Sequence, residues 1–239
     1  FATASVGIAL YPQDGQTVAD LLRNADVAMY AAKDRGRNGS VLYTPNLAVR
    51  DREKLELETA LHKAIERNEL VLYYQPKVDA QSGRLMGVEA LMRWRRGDAL
   101  VPPNEFIPMA EETGLIVPLS EWALREAARQ AHEWRQAFGF NESIAVNMPS
   151  RMFLRQDLVD LIHEAVKPYG IPHRMLLLEI TESSLMKDLQ SILPTLHRLN
   201  EVGVQISVDD FGTGYSSLQY LTELPISELK IDRSFVNKL

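Results

Sequence analysis

The chain has 239 residues, 46% of them apolar and 24% charged, which is ordinary for a globular protein with room for one large or two modest domains. A formal net charge of −6 with no tract of Lys or Arg excludes bulk attraction to a DNA or RNA duplex or to an anionic membrane, but not a small phosphate ligand whose charge a metal offsets. The absence of cysteine excludes disulfides and thiolate metal sites and fits a reducing, cytoplasmic setting, and no apolar stretch reaches the roughly 20 residues that span a bilayer.

The chain opens at Phe1, inside an apolar segment and without Met, and reads as a piece of something longer. Residues 1–11 are expected to form a strand, with Gly7 inside it and Pro12-Gln13-Asp14-Gly15 as the following turn. Thr17 is placed to cap a helix, with Asp20 three residues on. Val18, Leu21, Leu22, Ala25, Ala28, Met29 and Ala32 then recur at helical spacing. Gly36 and Asn38-Gly39 end that helix, and 40–44 read as a short strand. These pieces are too few to bury a core alone, so residues 1–45 are expected to be the end of an α+β domain. Residues 46–68 read as a charged linker helix, with Leu55, Ala60, Leu61, Ala64 and Ile65 on one side and a domain boundary near residue 50.

From residue 69 the pattern changes. Apolar strand-like runs at 70–78, 85–94, 144–147, 175–180, 204–208 and 228–231 alternate with helical stretches at 103–113, 120–138, 155–169, 184–202 and 216–223. Such alternation predicts βα units and a parallel sheet, and the β-branched, nearly continuous runs suit strands buried on both faces. The expected fold class is α/β, a (β/α)8 TIM-like barrel over 69–239 that stops after about six strands.

The informative feature is the set of polar residues in and just after the apolar runs. The second strand carries Glu89 and Arg93, the third ends in Asn147, and the fourth in Glu179, Thr181 and Glu182. The fifth runs into Asp209-Asp210, and the sixth carries Lys230 and Asp232. In a barrel of this type the chemistry gathers at the carboxyl ends of the strands, so Glu89, Asn147, Glu179, Asp209 and Asp210 are expected to converge from distant parts of the chain. The set is all oxygen. It suits hard cations such as Mg²⁺ or Mn²⁺ rather than zinc, and is large enough for two ions about 3.5–4 Å apart, the arrangement that attacks phosphodiesters. Lys230 is placed to stabilise charge on a scissile phosphate or to orient the attacking water. Singly, each residue has a bland account: a salt-bridged edge glutamate, an Asp-Asp turn, a strand-ending Asn, a half-exposed strand alternating through Lys230-Ile231-Asp232.

Gly212 and Gly214 in the segment Asp209-Asp210-Phe211-Gly212-Thr213-Gly214-Tyr215-Ser216-Ser217-Leu218 point to a movable strand-end loop. His62, His132, His163, His173 and His197 are scattered without ligand spacing, and Trp122 and Trp134 sit in an apolar helical pattern as packing residues.

These residues also carry a resemblance. Gly87-Val88-Glu89-Ala90-Leu91-Met92-Arg93-Trp94 contains the signature tripeptide of EAL domains, after Tyr74-Gln75-Pro76-Lys77-Val78, which is similar to that family's opening strand. Phe106-Ile107-Pro108, Leu178-Glu179-Ile180-Thr181-Glu182-Ser183, the Asp209–Leu218 segment and Leu229-Lys230-Ile231-Asp232 come next in the family's order, so that 69–239 resembles an EAL cyclic-di-GMP phosphodiesterase domain. The resemblance implies hydrolysis of cyclic di-GMP to linear 5'-pGpG by a two-metal (Mg²⁺ or Mn²⁺) mechanism. It implies metal ligation by Glu89, Asn147, Glu179, Asp209 and Asp210, with Glu89, Asp209 and Lys230 catalytic, and substrate contacts from Gln75 and Arg93. It further implies that Glu182 anchors the 210–218 loop and that the domain forms a homodimer. The alternative is a non-catalytic cyclic-di-GMP receptor, which such families produce by losing metal carboxylates that are present here.

Ser5-Val6-Gly7-Ile8-Ala9, the run from Ala25 to Lys33 and Gly36-Arg37-Asn38 resemble the end of a GGDEF domain without its signature loop. Two departures stand out. Asn147 is followed by Met148-Pro149 where the family usually has Leu-Ser, and the family's seventh and eighth strands, with a further metal glutamate and a substrate-contacting glutamine, have no counterpart in these residues.

Overall fold

The computed structural model of the chain describes residues 3–34, 36, 38–212 and 223–236. They divide into two compact units, Phe1–Lys63 and Ala64–Leu239.

In the first unit, β1 (Val6–Ile8) and β2 (Ser40–Leu42) pair in parallel, and α1 (Val18–Asp34) connects them. The helix starts where expected: the Asp20 amide donates to Thr17 Oγ1 at 3.1 Å, and the Thr17 hydroxyl donates to the Asp20 carboxylate at 2.7 Å. Strand and helix approach so closely that a Cβ at Gly7 would lie 1.9 Å from the Ala25 carbonyl oxygen, a position only glycine tolerates. Ala28, Ala32, Val41 and Leu47 form the small core. The first strand is shorter than expected because the chain already turns at Leu10, whose carbonyl and amide both bond Asp14. Helix α2 spans Pro45–Leu61, short of the expected residue 68.

The second unit begins with a helix-type stop. Asn68 adopts φ 53°, and the Glu69 amide reaches back to the Ala64 carbonyl at 2.9 Å, the closure typical of a left-handed cap. The strands are β3 (Leu70–Val78), β4 (Leu85–Arg96), β5 (Ala99–Val101), β6 (Ser143–Asn147), β7 (Leu176–Thr181), β8 (Gln205–Phe211) and β9 (Glu228–Ile231). They form one sheet in the order β3-β4-β6-β7-β8-β9, with β5 off the path on β4. From β4 through β9 every neighbour on that path is parallel, as expected.

Two pairings correct the expectation of a purely parallel sheet. β3 and β4 are antiparallel, because the turn between Val78 and Leu85 holds only a tight bend, with the Gly83 amide on the Asp79 carbonyl at 2.8 Å; a parallel crossover needs a dozen residues or more. β5 also returns antiparallel on β4, after Gly97 at φ 60°.

The outer face of the sheet packs under α3 (Pro103–Thr113), α4 (Ile116–Phe138), α5 (Ser150–Phe153), α6 (Leu158–Val166), α7 (Glu182–Lys187) and α8 (Leu189–Glu201). The expected single helix over 184–202 is thus two, broken at Asp188, and the expected helix over 155–169 is reduced to α6 followed by a 3-10 turn at Lys167–Tyr169. The expected helix over 216–223 lies almost wholly outside the described residues. Ile144, Val146, Leu176, Leu178, Ile180, Ile206 and Val208 point outward into one core with Leu124, Ala127, Ala128, Ile162, Leu196 and Leu199 of the helices. Each fully buried Leu or Ile there contributes about 1.5–3 kcal/mol.

The alternate residues face the other way and line a lumen. β3 and β9 end the sheet path, and in a flat sheet at about 4.8 Å per strand they would stand about 24 Å apart. Lys77 on β3 nevertheless meets Glu228 on β9, Nζ to Oε1 at 2.8 Å, so the sheet is strongly curled. Among the described residues no helix is long and apolar enough to cross a membrane.

Candidate active site

The parallel register sets the site. Asn147 pairs with Glu179, and Asp209 pairs with Thr181, two residues beyond Glu179, so polar residues at or near the carboxyl ends of successive strands gather on the lumen face. Glu89, one strand over, pairs with Ala145 and accepts a hydrogen bond from Asn147 Nδ2 at 2.9 Å. Carboxylate oxygens of Glu89, Glu179 and Asp209 all lie within 4.8 Å of one another. Lys230, reaching in from β9, donates to all three: Glu89 Oε2 at 3.1 Å, Glu179 Oε2 at 2.9 Å and Asp209 Oδ2 at 2.9 Å.

The charges are strongly perturbed. Glu179 is 1% exposed, and burial, reinforced by the charge of Glu89 and opposed by Lys230, pushes its carboxyl up to about 7. Burial disfavours the Lys230 ammonium too, but its hydrogen bonds to Asp209 and Glu179 win and hold it above the ordinary lysine range. Asp210 follows Asp209 in a left-handed backbone conformation, φ 54°, and burial together with the Asp209 charge raises its carboxyl. Its carboxylate is not one of the three that cluster within 4.8 Å.

Gln75 lies opposite Glu89 in the antiparallel register, on the lumen face. Arg93 is two pleats further along β4, its guanidinium bonded to the Met92 carbonyl at 2.9 Å and set 5.6 Å over the Tyr73 ring. Arg93, Ile107, Glu111, Asn147, Met148 and Glu179 help to line a pocket of about 320 Å³ beside the carboxylates. Pro149 makes the turn into α5 at φ −67°, ψ 149°, and the Met148 amide is satisfied by the Glu179 carbonyl at 2.8 Å. Glu182 is buried, and the Gly212 amide donates to its carboxylate at 2.5 Å. Beyond Gly212 the expected mobile loop falls on residues 213–222, outside the described residues.

Three further lumen residues, Tyr73, Lys77 and Glu228, do not stand out in the sequence. The one signal for them is period-two alternation, which puts Tyr73 and Lys77 on the face of Gln75, and Glu228 on the face of Lys230.

The donor set supports a hard divalent cation. It is all oxygen, three of its carboxylates (Glu89, Glu179 and Asp209) lie within 4.8 Å of one another, and Glu179 Oε1 is buried without a hydrogen-bond partner.

The chain resembles known families and solved structures. The family model for the EAL domain matches residues 58–239, and that for the diguanylate cyclase GGDEF domain matches residues 1–39. The chain is similar to the bifunctional diguanylate cyclase/cyclic di-GMP phosphodiesterase MucR of Pseudomonas aeruginosa, at 49% identity over 99% of this chain and 35% of MucR. It is similar to the cyclic di-GMP phosphodiesterase PdeR of Escherichia coli at 38% identity over 100% of this chain and 36% of PdeR. The chain therefore spans about a third of the length of these curated relatives. Among solved structures, the PaMucR phosphodiesterase in complex with c-di-GMP superposes with a TM-score of 0.73 at 48% identity, covering 77% of this chain and 74% of that one. The EAL enzyme Bd1971, with cAMP and cyclic di-GMP bound, gives 0.73 at 30% identity over 94% of this chain and 59% of that one. The curled α/β sheet is thus of the TIM-barrel-like EAL type, preceded by a GGDEF fragment.

Proposed function

The chain belongs to the EAL domain family, and we propose that its strand-end site hydrolyses cyclic di-GMP to linear 5'-pGpG with two bound Mg²⁺ or Mn²⁺ ions. The observation that carries this reading is the convergence of Glu89, Glu179 and Asp209 oxygens within 4.8 Å of one another. The residues that would hold the ions are Glu89, Asn147, Glu179, Asp209 and Asp210. Bound there, the ions lower the pKa of a water and offset charge on the scissile phosphate.

The chain's own groups do the rest. Lys230, held above the ordinary lysine range, stays an ammonium at neutral pH. It therefore donates hydrogen bonds, to a water or a phosphate oxygen, and does not take up the proton. Asn147 fixes one oxygen of Glu89, leaving the other turned to the centre of the site. Arg93, steadied by the Met92 carbonyl and the Tyr73 ring, supplies a fixed cation at the mouth of the pocket for substrate phosphate or guanine oxygen, and Gln75 adds a neutral donor and acceptor beside Glu89. Glu182 holds the start of the 210–218 loop through Gly212. We further propose that the domain works as a homodimer.

The test uses the protein that carries this sequence, with cyclic di-GMP and either Mg²⁺ or Mn²⁺. Turnover to pGpG that stops on chelation and returns with either ion is expected; Ca²⁺, larger and looser in geometry, should bind without comparable turnover. Binding of cyclic di-GMP with no turnover in any of these ions would make the domain a receptor instead.

A further inference from the structure

Directly beneath the site lies a second polar layer that catalysis as derived above does not use. Gly87, Ser207 and Glu228 each precede by two residues a group of the upper layer, namely Glu89, Asp209 and Lys230. Lys77 joins them because it pairs with Gly87 in the antiparallel register. Two residues of strand is about 6.6 Å, so this layer sits one pleat below Glu89, Asp209 and Lys230, while Glu179 pairs with Ser207 and Ser207 with Glu228, which sets Glu179 beside it. The interior layers of such barrels are ordinarily filled by branched apolar side chains. Here Lys77 Nζ donates to both oxygens of Glu228, at 2.8 and 3.0 Å, and the Ser207 hydroxyl donates to Glu228 Oε1 at 3.1 Å. The same ammonium faces Glu179 Oε1 at 3.6 Å, beyond hydrogen-bond reach but close for two charges in a lumen where the Glu179 side chain is 0% exposed and that of Lys77 is 22%.

Glu179 is therefore addressed from two sides. Lys230 bonds Oε2 from the upper layer, and Lys77 stands opposite Oε1, the oxygen with no hydrogen-bond partner. We propose that Lys77 is a positioning residue for Glu179: clamped by Glu228 and Ser207, it holds Oε1 downward and leaves Oε2 as the oxygen presented to the site. This rests on the hydrolase reading above. The clamp has a specific physical logic. Lysine alone is a flexible point charge on a four-carbon stem, and the bidentate Glu228 fixes where that charge stands. Because Glu228 neutralises Lys77, the pair orients Glu179 without adding net positive charge under a site meant for cations.

The test is the charge-neutral double variant Lys77→Met/Glu228→Gln, compared with Lys77→Arg and Ser207→Ala. Mn²⁺ affinity is measured by calorimetry without substrate, and kcat and KM with cyclic di-GMP. The double variant is expected to lose about 10–100-fold in Mn²⁺ affinity and in kcat, the usual effect of removing a group that orients a metal ligand, with KM within about twofold. Lys77→Arg should keep most of both. A double variant that melts earlier yet binds Mn²⁺ and turns over like wild type would reduce the layer to a structural role and overturn the proposal. Should the double variant not fold, Ser207→Ala decides, since it loosens the clamp without changing charge: a several-fold loss of Mn²⁺ affinity supports the proposal and an unchanged affinity overturns it. Wild-type protein that neither binds Mn²⁺ nor hydrolyses cyclic di-GMP would instead sink the hydrolase reading itself, a result visible before any variant is made.

Discussion

The backbone N–H of Gly212 donates to the buried Glu182 carboxylate at 2.5 Å, tying the turn after β8 to the first residue of α7. Glu182 is not in the carboxylate cluster, so Glu182→Ala removes a tether and none of the clustered carboxylates. Activity is expected to fall about 10–100-fold with Mn²⁺ affinity reduced less than in Glu179→Ala, which removes a donor outright. Steady-state kinetics and calorimetry on the two variants check the order; equal effects would place Glu182 at the ion itself.

Gly212 also has a steric role. It adopts φ 98°, and a Cβ there would lie 2.6 Å from the Phe235 ring. Gly212→Ala combines a disfavoured backbone with a clash and is expected to destabilise by about 1–3 kcal/mol, and to lower activity by shifting the Glu182 contact. Chemical denaturation gives the first quantity and turnover the second.

Lys230 is the cation among three carboxylates, so Lys230→Met leaves Glu89, Glu179 and Asp209 facing one another uncompensated. Metal-free variant protein is expected to be less stable at neutral pH by about 3–5 kcal/mol, the cost of breaking a buried ion pair from one side. Mn²⁺ should restore most of that stability but not activity, with kcat down about 100–1,000-fold, as for other lost transition-state donors. Thermal unfolding with and without Mn²⁺ separates the two effects.

The raised carboxyl of Glu179 makes a signed pH prediction for metal-free protein. Its folded value of about 7 exceeds the unfolded value of 4.5, so the folded state holds the proton more tightly. The associated stability is fully present below about pH 4.5 and is lost as pH rises through about 7. Glu179→Gln, which carries no such proton, should therefore gain stability relative to wild type between pH 5 and pH 8. Melting temperatures of both proteins across that range check it, and a difference that does not change with pH would contradict it.

Much of this was legible because the chemistry sits where hydrophobic runs stop. Asn147 closes β6, Glu179 interrupts the apolar run of β7 two residues before its end, and Asp209 follows Val208 in β8, and a polar side chain in such a place stands out against its neighbours. The first hairpin was harder to read. β3 and β4 look like two members of a parallel series until the shortness of the turn between them is weighed, and β5 is three residues with little apolar contrast. The break at Asp188 left no trace because the apolar period runs on through it without Gly or Pro. Lys77 and Glu228 were masked for a different reason. A charge alternating with apolar residues is the signature of a solvent-facing strand, and only the curl of the sheet turns that face inward.

The antiparallel start of the sheet has a consequence of its own. On β4 and β6 to β9, moving two residues toward the C-terminus moves a side chain up toward the mouth, whereas on β3 the same step moves it deeper. Tyr73, Gln75 and Lys77 thus sample three depths in reverse order, from the rim beside Arg93 to the layer below Glu89. That sampling is dialled by the turn across residues 79–84. One inserted residue there would exchange faces along the whole strand, presenting Leu72, Tyr74 and Pro76 to the lumen, so the length of a surface turn remote from the carboxylate cluster decides whether the barrel's first strand reaches its chemistry at all.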